Sequence, residues 1–336
     1  MRLPIPRGPN SAAIISALAE SPSPGLPSPA GVAAADDEDL QLVLAVCYEL
    51  HYGGFVGVDD SWEWSPSLLE VRAAAERRFL VQLLAGTHPP RVLDPARVPR
   101  VLDRMIRGDP DTGLSRYLEH RATWAQFREF AAHRSIYQLK EADPHTWAIP
   151  RLTGVAKAAL VEIQADEYGG GVPGRMHSQL FAATMRGLDL DDAPGALLDA
   201  VPAVSLAAAN VVSLFGLHRR WRGALLGHLA VIEMDSAVPN RAYRDGARRL
   251  GLGPDATAFF DEHVEADAVH EQIAAHQMCG TFARENPALA GDVVFGATCA
   301  LSTYGAQAHH LMNSWAAGET SLRAPLPELW STTVPA

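Results

Sequence analysis

The sequence predicts an all-α protein in which helices pack into one globular domain. Apolar residues recur at spacings of three and four along most of the chain, as in Leu40, Val43, Leu44 and Cys47. Signals for β-strands are weak, and Pro and Gly residues separate the helical stretches. No internal repeat of fixed period is present, which argues against a solenoid. A chain of 336 residues can bury a substantial core.

The predicted helices follow one another from residue 40 to residue 317. Two apolar stripes, over 40–51 and 71–83, indicate the first helices. The others are predicted over 95–107, 112–142, 153–168, 174–187, 194–213, 215–235, 239–250, 254–280 and 287–317. Turn signals such as Asp143-Pro144 divide them. We predict a single domain over residues 38–325 and a short C-terminal tail over residues 326–336.

The N-terminal segment, residues 1–37, is expected to be a flexible tail. Residues 20–37 are rich in Pro, Ser and Ala, so we expect no packed element there. Prolines in the first nine residues interrupt the apolar run that a signal peptide needs. The longest apolar stretch, 196–217, contains Asp199 and Pro202 and fits a buried helix better than a membrane span. The sequence therefore predicts a cytoplasmic protein that does not enter a membrane.

Charge and cysteine content exclude several classes of function. The net charge is −11, and the 28 basic residues are scattered among 39 acidic ones rather than gathered into a stripe. Nucleic acid is therefore not an expected partner, and a small organic substrate is the default. The three cysteines are far apart and lack Cys-x2-Cys spacing, which argues against a disulfide framework, a zinc ribbon or an iron–sulfur site.

The segment from Phe259 to Glu271 carries the strongest functional signal. Its residues His263, Asp267 and His270 are separated by four and three positions, so their side chains share one face of a helix. Imidazole and carboxylate groups on one face can bind a metal ion. The same spacing also fits a solvated face on which an aspartate pairs with two ordinary histidines. The segment alone leaves both interpretations open.

Two further segments carry residues of the same types. Glu167 ends an acidic helix, and His177 follows it across Tyr-Gly-Gly-Gly-Val-Pro-Gly, a run that cannot be regular helix. An ordinary helix C-terminus would explain the glycines but not the carboxylate and imidazole that flank them. Glu141 lies near the end of a long helix, where a lone glutamate is usually at the surface.

The three segments together offer three carboxylates and three imidazoles as candidate ligands. These residues are Glu141, Glu167, His177, His263, Asp267 and His270. A pair of iron or manganese ions takes this mixture of ligands. The chain contains no Glu-x-x-His pair, so it differs from the ferritin-like four-helix bundles.

In these segments the chain resembles the haem-oxygenase-like diiron oxidases and oxygenases, also called iron-containing redox enzymes. The flanking runs over 139–151 and 165–177 resemble that family as well, and the resemblance covers residues 40–320. It implies a haem-oxygenase-like helical bundle without haem, in which the six residues bind two Fe(II) ions that activate O2 as a co-substrate. Some members of the family N-oxygenate amines, and others desaturate or cleave the carbon chains of fatty acids and amino acids.

We therefore expect a non-haem diiron oxidoreductase. The expected reaction is N-oxygenation of a small amine or amino acid to a hydroxylamine or nitro product in natural-product biosynthesis, with electrons from an external donor. One alternative is a diiron desaturase or C–C bond-cleaving oxidase of a fatty or amino acid, since fold and ligands do not name the substrate. A second is a non-catalytic or haem-binding helical protein with structural histidines. A homodimer is also expected.

His228 and Glu233 are predicted to bind the substrate. Both interrupt the otherwise apolar stretch 224–234, which suggests that they face a cavity. An internal hydrogen-bonded pair would explain them equally well. An arginine able to bind a carboxylate would indicate an amino-acid or fatty-acid substrate.

Overall fold

The computed structural model describes residues 1–22, 26–27, 29–33, 37–86, 90 and 94–326, except the side chains of residues 29, 33, 86 and 266–269. The regular elements of this part of the chain are helices, so the predicted all-α class is confirmed. The first eight are α1 (Pro9–Leu18), α2 (Pro29–Ala33), α3 (Asp37–Glu49), α4 (Pro66–Gly86), α5 (Val98–Arg107), α6 (Leu114–His120), α7 (Trp124–Gln138) and α8 (Asp143–Thr146). The others are α9 (Gly154–Glu167), α10 (His177–Gly187), α11 (Ala203–Leu217), α12 (Arg222–Asp235), α13 (Ala237–Arg249), α14 (Pro254–Gln272), α15 (Thr281–Glu285) and α16 (Ala290–Ala316).

The helix predicted over 112–142 is divided into α6 and α7. The hydroxyl of Thr123 accepts a hydrogen bond from the backbone N–H of Gln126, and the Gln126 side chain accepts one from the backbone N–H of Thr123. This reciprocal pair is a capping box, which satisfies N–H groups at the start of a new helix. The spacing of apolar residues continues from α6 into α7, so this spacing alone does not show where one helix ends and the next begins.

The N-terminal segment differs from the expected tail, because α1 is a packed helix. Ile14 and Leu18 are buried in the main core. The carboxylate of Asp39, in α3, accepts hydrogen bonds from the backbone N–H groups of Asn10 and Ser11 at the start of α1. The prediction of a tail is therefore wrong for residues 9–18. Amino-acid composition reflects only the local tendency to form structure. The contacts that stabilise α1 come from Asp39 on α3, which composition does not reveal.

Parts of both predicted tails lie outside the described residues. These are positions 23–25, 28 and 34–36 at the N-terminal end and 327–336 at the C-terminal end. Among the described helices, no stretch combines the length and the apolar character needed to cross a bilayer.

Two apolar clusters form the core, and the smaller one supports the candidate site. The larger cluster includes the interface of α12 with α16. The smaller cluster joins α7, α10 and α14 through aromatic rings. Phe181 and Phe259 pack edge to face with ring centroids 5.0 Å apart, and Phe259 lies 4.3 Å from the ring of His263. This packing fixes the helix face from which His263 projects.

Candidate metal centre

Four of the six predicted ligands meet in the interior, each from a different place in the chain. Glu141 lies in the turn after α7, Glu167 ends α9, His177 begins α10, and His263 lies on α14. All four are buried. Ligand atoms of Glu141, His177 and His263 lie within 4.8 Å of one another. Glu167 Oε2 lies 3.0 Å from His177 Nδ1.

The glycine-rich connection brings Glu167 and His177 together. Gly169, Gly170 and Gly171 have φ angles of 65°, 60° and 81°, in the left-handed region that favours glycine. Two short 3-10 turns, Gly169–Gly171 and Pro173–Arg175, then lead into α10. A Cβ atom on Gly169 would lie 2.5 Å from the carbonyl carbon of Arg175. Glycine at position 169 therefore permits the tight path between the two candidate ligands.

Buried polar atoms without hydrogen bonds indicate that the cluster fits a metal ion. Within the described part of the chain, Glu141 Oε2, Glu167 Oε2 and both ring nitrogens of His177 are buried and form no hydrogen bond. Buried polar atoms of native proteins are usually paired. Glu167 Oε2 and His177 Nδ1 are close but not aligned for a hydrogen bond. Ligand atoms that are each about 2.1 Å from one ion also lie roughly 3 Å apart.

His263 has the tautomer that a metal ligand needs. Its Nδ1 lies 2.8 Å from the backbone carbonyl oxygen of Phe259. A carbonyl can only accept, so Nδ1 carries the hydrogen and donates it. The other nitrogen, Nε2, lies 3.7 Å from Glu141 Oε1. Hydrogen bonding of the remote ring nitrogen to a backbone carbonyl is the usual way in which a metal-bound histidine is oriented.

The pKa values of Glu141 and His177 are shifted by their charged neighbours. Burial favours the protonated form of Glu141, but the charges of His263 and His177 outweigh it and lower the pKa of Glu141. Burial disfavours the charged form of His177, but Glu167 outweighs it and raises the pKa of His177. Carboxylates in the ionised form are ready to bind a cation. Binding at His177 would release a proton, because the imidazole must be neutral to act as a ligand.

His270 lies beside this cluster and pairs with two other carboxylates. Its Nδ1 lies 3.1 Å from Glu233 Oε2, and its Nε2 lies 2.9 Å from Asp166 Oδ2. Burial lowers the pKa of His270, but Glu233 and Asp166 outweigh it and raise this pKa to about 9. The side chain of Asp267 lies outside the described residues. The ligand roles of Asp267 and His270 therefore stay predictions.

The structure buries His228 and Glu233 next to other histidines. His228 is buried, its Nδ1 lies 3.2 Å from His145 Nε2, and burial lowers its pKa to about 3. Glu233 is buried against His270. Neither residue is among the described residues that line the cavity beside the site. Each side chain contacts a buried histidine, and the assignment of both residues to substrate binding stays a prediction.

Asp166 and Glu233 are the residues near the site whose role the sequence analysis missed. A histidine that binds a metal commonly hydrogen-bonds a carboxylate through its other nitrogen. Glu233 is in the position that this rule gives to the carboxylate partner of His270. Asp166 precedes Glu167, and only its contact with His270 distinguishes it from a solvated carboxylate.

A cavity of about 610 Å³ opens beside the cluster. Glu141 contributes to its wall, so the cavity reaches the candidate ligands. Phe130, Tyr137, Tyr243 and Tyr304 also line the cavity, together with acidic and basic side chains. This volume lies within the range of cavities that hold small organic molecules.

Comparison with known protein families identifies the family of this chain. Residues 128–305, just over half of the 336-residue chain, match the family described as iron-containing redox enzyme. The chain belongs to the iron-containing redox enzyme family. This iron-containing redox enzyme is thus an iron-dependent oxidoreductase with a haem-oxygenase-like fold, and all six predicted ligands fall inside the matched region. No curated protein matches the chain.

Proposed function

We propose that this iron-containing redox enzyme is a non-haem diiron oxygenase. Its reaction would be the N-oxygenation of a small amine or amino acid to a hydroxylamine or nitro product. The observation that carries the proposal is the buried group of Glu141, Glu167, His177 and His263 beside the cavity. Among the described residues, Glu141 Oε2, Glu167 Oε2 and both ring nitrogens of His177 have no hydrogen-bond partner. Two Fe(II) ions would be held by these residues together with Asp267 and His270.

The iron ions and the side chains would have different chemical roles at the site. Bound Fe(II) would supply the reductive activation of O2, which protein side chains alone do not perform. The carboxylates of Glu141 and Glu167 would offset the positive charge of the metal, and the imidazoles of His177 and His263 would bind it through nitrogen. The cavity gives a substrate access to Glu141, and Tyr137 lines the same wall. Electrons would come from an external donor, and the expected homodimer stays a prediction.

The surroundings of the histidines favour non-haem iron over haem. A haem-binding histidine faces a flat apolar space large enough for the macrocycle. His177 instead lies 3.0 Å from the carboxylate of Glu167, and His263 lies 3.7 Å from that of Glu141. Carboxylates next to the imidazoles are suited to binding an iron ion directly.

The first test measures iron binding and O2 consumption. After anaerobic reconstitution with Fe(II), we expect two irons per chain in the unmodified protein. His263→Ala and Glu167→Ala should each lose bound iron and reduce O2 consumption at least 100-fold, on the order of the losses seen when groups that act on the reacting centre are removed. His218→Ala is the control, because His218 pairs with Glu76 and is not one of the predicted ligands. Fewer than one iron per chain, or a Soret band, would contradict the proposal.

The mass of the product separates N-oxygenation from the alternative reactions of the same site. Candidate amines and amino acids would be incubated with the reconstituted protein, 18O2 and a reductant. Incorporation of 18O on nitrogen supports N-oxygenation. Loss of two hydrogens would instead indicate a desaturase, and loss of carbon a C–C bond-cleaving oxidase.

A further inference from the structure

Arg134 is a partly exposed cation in the wall of the cavity, and its charge acts on the carboxylate of Glu141. It lies on α7, and its guanidinium carbon stands 5.6 Å from the centre of the Tyr304 ring. Within the described part of the chain it forms no ion pair or hydrogen bond. A guanidinium keeps its charge at all physiological pH values and binds a carboxylate through two parallel hydrogen bonds. Because it bonds no other described residue, Arg134 is available to bind an anion in the cavity.

Asp235 and Asp109 are acidic residues of the cavity wall. Burial and the neighbouring Asp109 together raise the pKa of Asp235 to about 6. Burial raises the pKa of Tyr243, and the effects of Arg134 and Asp235 on this phenol oppose each other. The lining of the cavity thus combines acidic residues with arginines, of which Arg116 and Arg241 are exposed and Arg134 lies over the Tyr304 ring.

Arg134 and Glu141 both belong to the wall of the cavity. Arg134 lies on α7, and Glu141 lies in the turn that follows this helix. Both line the cavity, and Tyr137 lines it between them in sequence. A molecule with an anionic group at Arg134 would therefore extend along this wall towards Glu141 and the candidate metal ligands.

We propose that Arg134 binds the carboxylate of the substrate and so directs the remainder of the molecule towards Glu141. The proposal rests on the proposed function, because Glu141 marks the reacting centre only if the cluster binds iron. A planar guanidinium matches a carboxylate with two parallel hydrogen bonds, and its contact with Tyr304 holds its plane in place. The substrate class is an organic carboxylate whose reacting atom lies several bonds from the carboxylate.

The probes for a test are hexanoate, its neutral analogue hexanamide, and 6-aminohexanoate. Their binding would be measured by calorimetry with anaerobic iron-loaded protein and with chelator-treated protein. We expect both carboxylates to bind more tightly than hexanamide. Arg134→Gln should weaken carboxylate binding roughly 10- to 100-fold, since charge-assisted hydrogen bonds are lost, and leave hexanamide unchanged. Arg134→Lys should recover part of the loss, because it keeps the charge without the two parallel bonds.

Arg241→Gln is the matched control. Arg241 also lines the cavity, but it is exposed at the rim. This variant should bind the carboxylates as the unmodified protein does. A preference for 6-aminohexanoate over hexanoate would identify an amino acid as the source of the carboxylate, and the reverse preference a fatty acid.

Three results would overturn the proposal. They are equal binding of hexanoate and hexanamide, absence of carboxylate binding, and carboxylate binding that survives Arg134→Gln but disappears with the iron. The last result would mean that the carboxylate binds the metal directly. A protein that takes up no iron contradicts the proposed function, whereas carboxylate preference in the chelator-treated protein still tests Arg134. Circular dichroism of each variant separates loss of binding from loss of folding.

Discussion

At the scale of single residues, His270 contacts two carboxylates that were not among the predicted metal ligands. Its Nδ1 faces the buried carboxylate of Glu233, and its Nε2 faces Asp166, whose side chain is 59% exposed. A buried carboxylate on one ring nitrogen orients the imidazole and makes the other nitrogen a better ligand. The exposed Asp166 can turn away to solvent, which would leave Nε2 available to a metal.

Replacing Glu233 by glutamine should weaken iron binding about tenfold, because the neutral amide supports His270 less well than a carboxylate. A titration of Fe(II) against a competing chelator measures the change. Glu76→Gln makes the same substitution at a buried carboxylate that lies 2.9 Å from His218 Nε2, remote from the predicted ligands in sequence. Equal losses of iron in the two variants would argue against an orienting role for Glu233.

At the scale of helices, glycine permits the close contact between α12 and α16. A Cβ atom on Gly227 would lie 1.8 Å from the carbonyl oxygen of Val293, and one on Gly296 would lie 1.9 Å from that of Ala224. Backbone atoms cannot yield as a flexible side chain can. The two helices can therefore approach this closely only because neither residue carries a Cβ atom.

Gly296→Ala should destabilise the protein by about 1–3 kcal/mol or more, because the added methyl group forces the two backbones apart. Gly305→Ala is the matched control on the same helix, since no atom lies within 4 Å of its added Cβ. That variant should be neutral or stabilise by up to roughly 1 kcal/mol, because alanine favours helix more than glycine does. Urea unfolding of both variants measures the difference, and similar stabilities would refute the close-contact explanation.

Helix periodicity predicted most elements but not where each begins. The spacing of apolar residues located the helices that carry five of the predicted ligands, whereas Glu141 lies in the turn after α7 and not on a helix as predicted. It joined α6 with α7, because the capping box at Thr123 and Gln126 interrupts the chain without interrupting the apolar pattern. It also began the long apolar helix near residue 194, whereas α11 begins at Ala203. Local turns ahead of a helix can carry the same apolar residues as the helix itself.

At the scale of the whole molecule, buried neutral histidines connect stability to pH. Burial lowers the pKa of His133 to about 3, and the effect of His310 adds to it. Burial likewise lowers the pKa of His228 to about 3. In the unfolded chain these groups titrate near the ordinary pKa of about 6.5. Below that pH the unfolded state binds more protons than the folded state, so acid favours unfolding.

The free energy of unfolding should therefore fall as the pH falls from 6.5 to 5. Each of the two histidines contributes about 1.5 kcal/mol to this loss, or roughly 3 kcal/mol together. His270 does not oppose the effect in this window, because its raised pKa of about 9 acts between pH 6.5 and 9. Urea unfolding at both pH values measures the change in the unmodified protein and in His133→Gln. An unaltered pH dependence in the variant would show that His133 is not one of the groups responsible.

The sequence by itself determined the helical class, the chemical types of the candidate ligands and the resemblance to the iron-containing redox enzymes. These properties follow from residue spacing within one or two helical turns and from short motifs. The tertiary structure decided that four ligands converge, that Glu233 and His228 face buried histidines, that Arg134 enters the cavity, and that α1 packs into the core. These contacts join positions far apart in the chain, so they depend on helix packing, which local spacing does not specify.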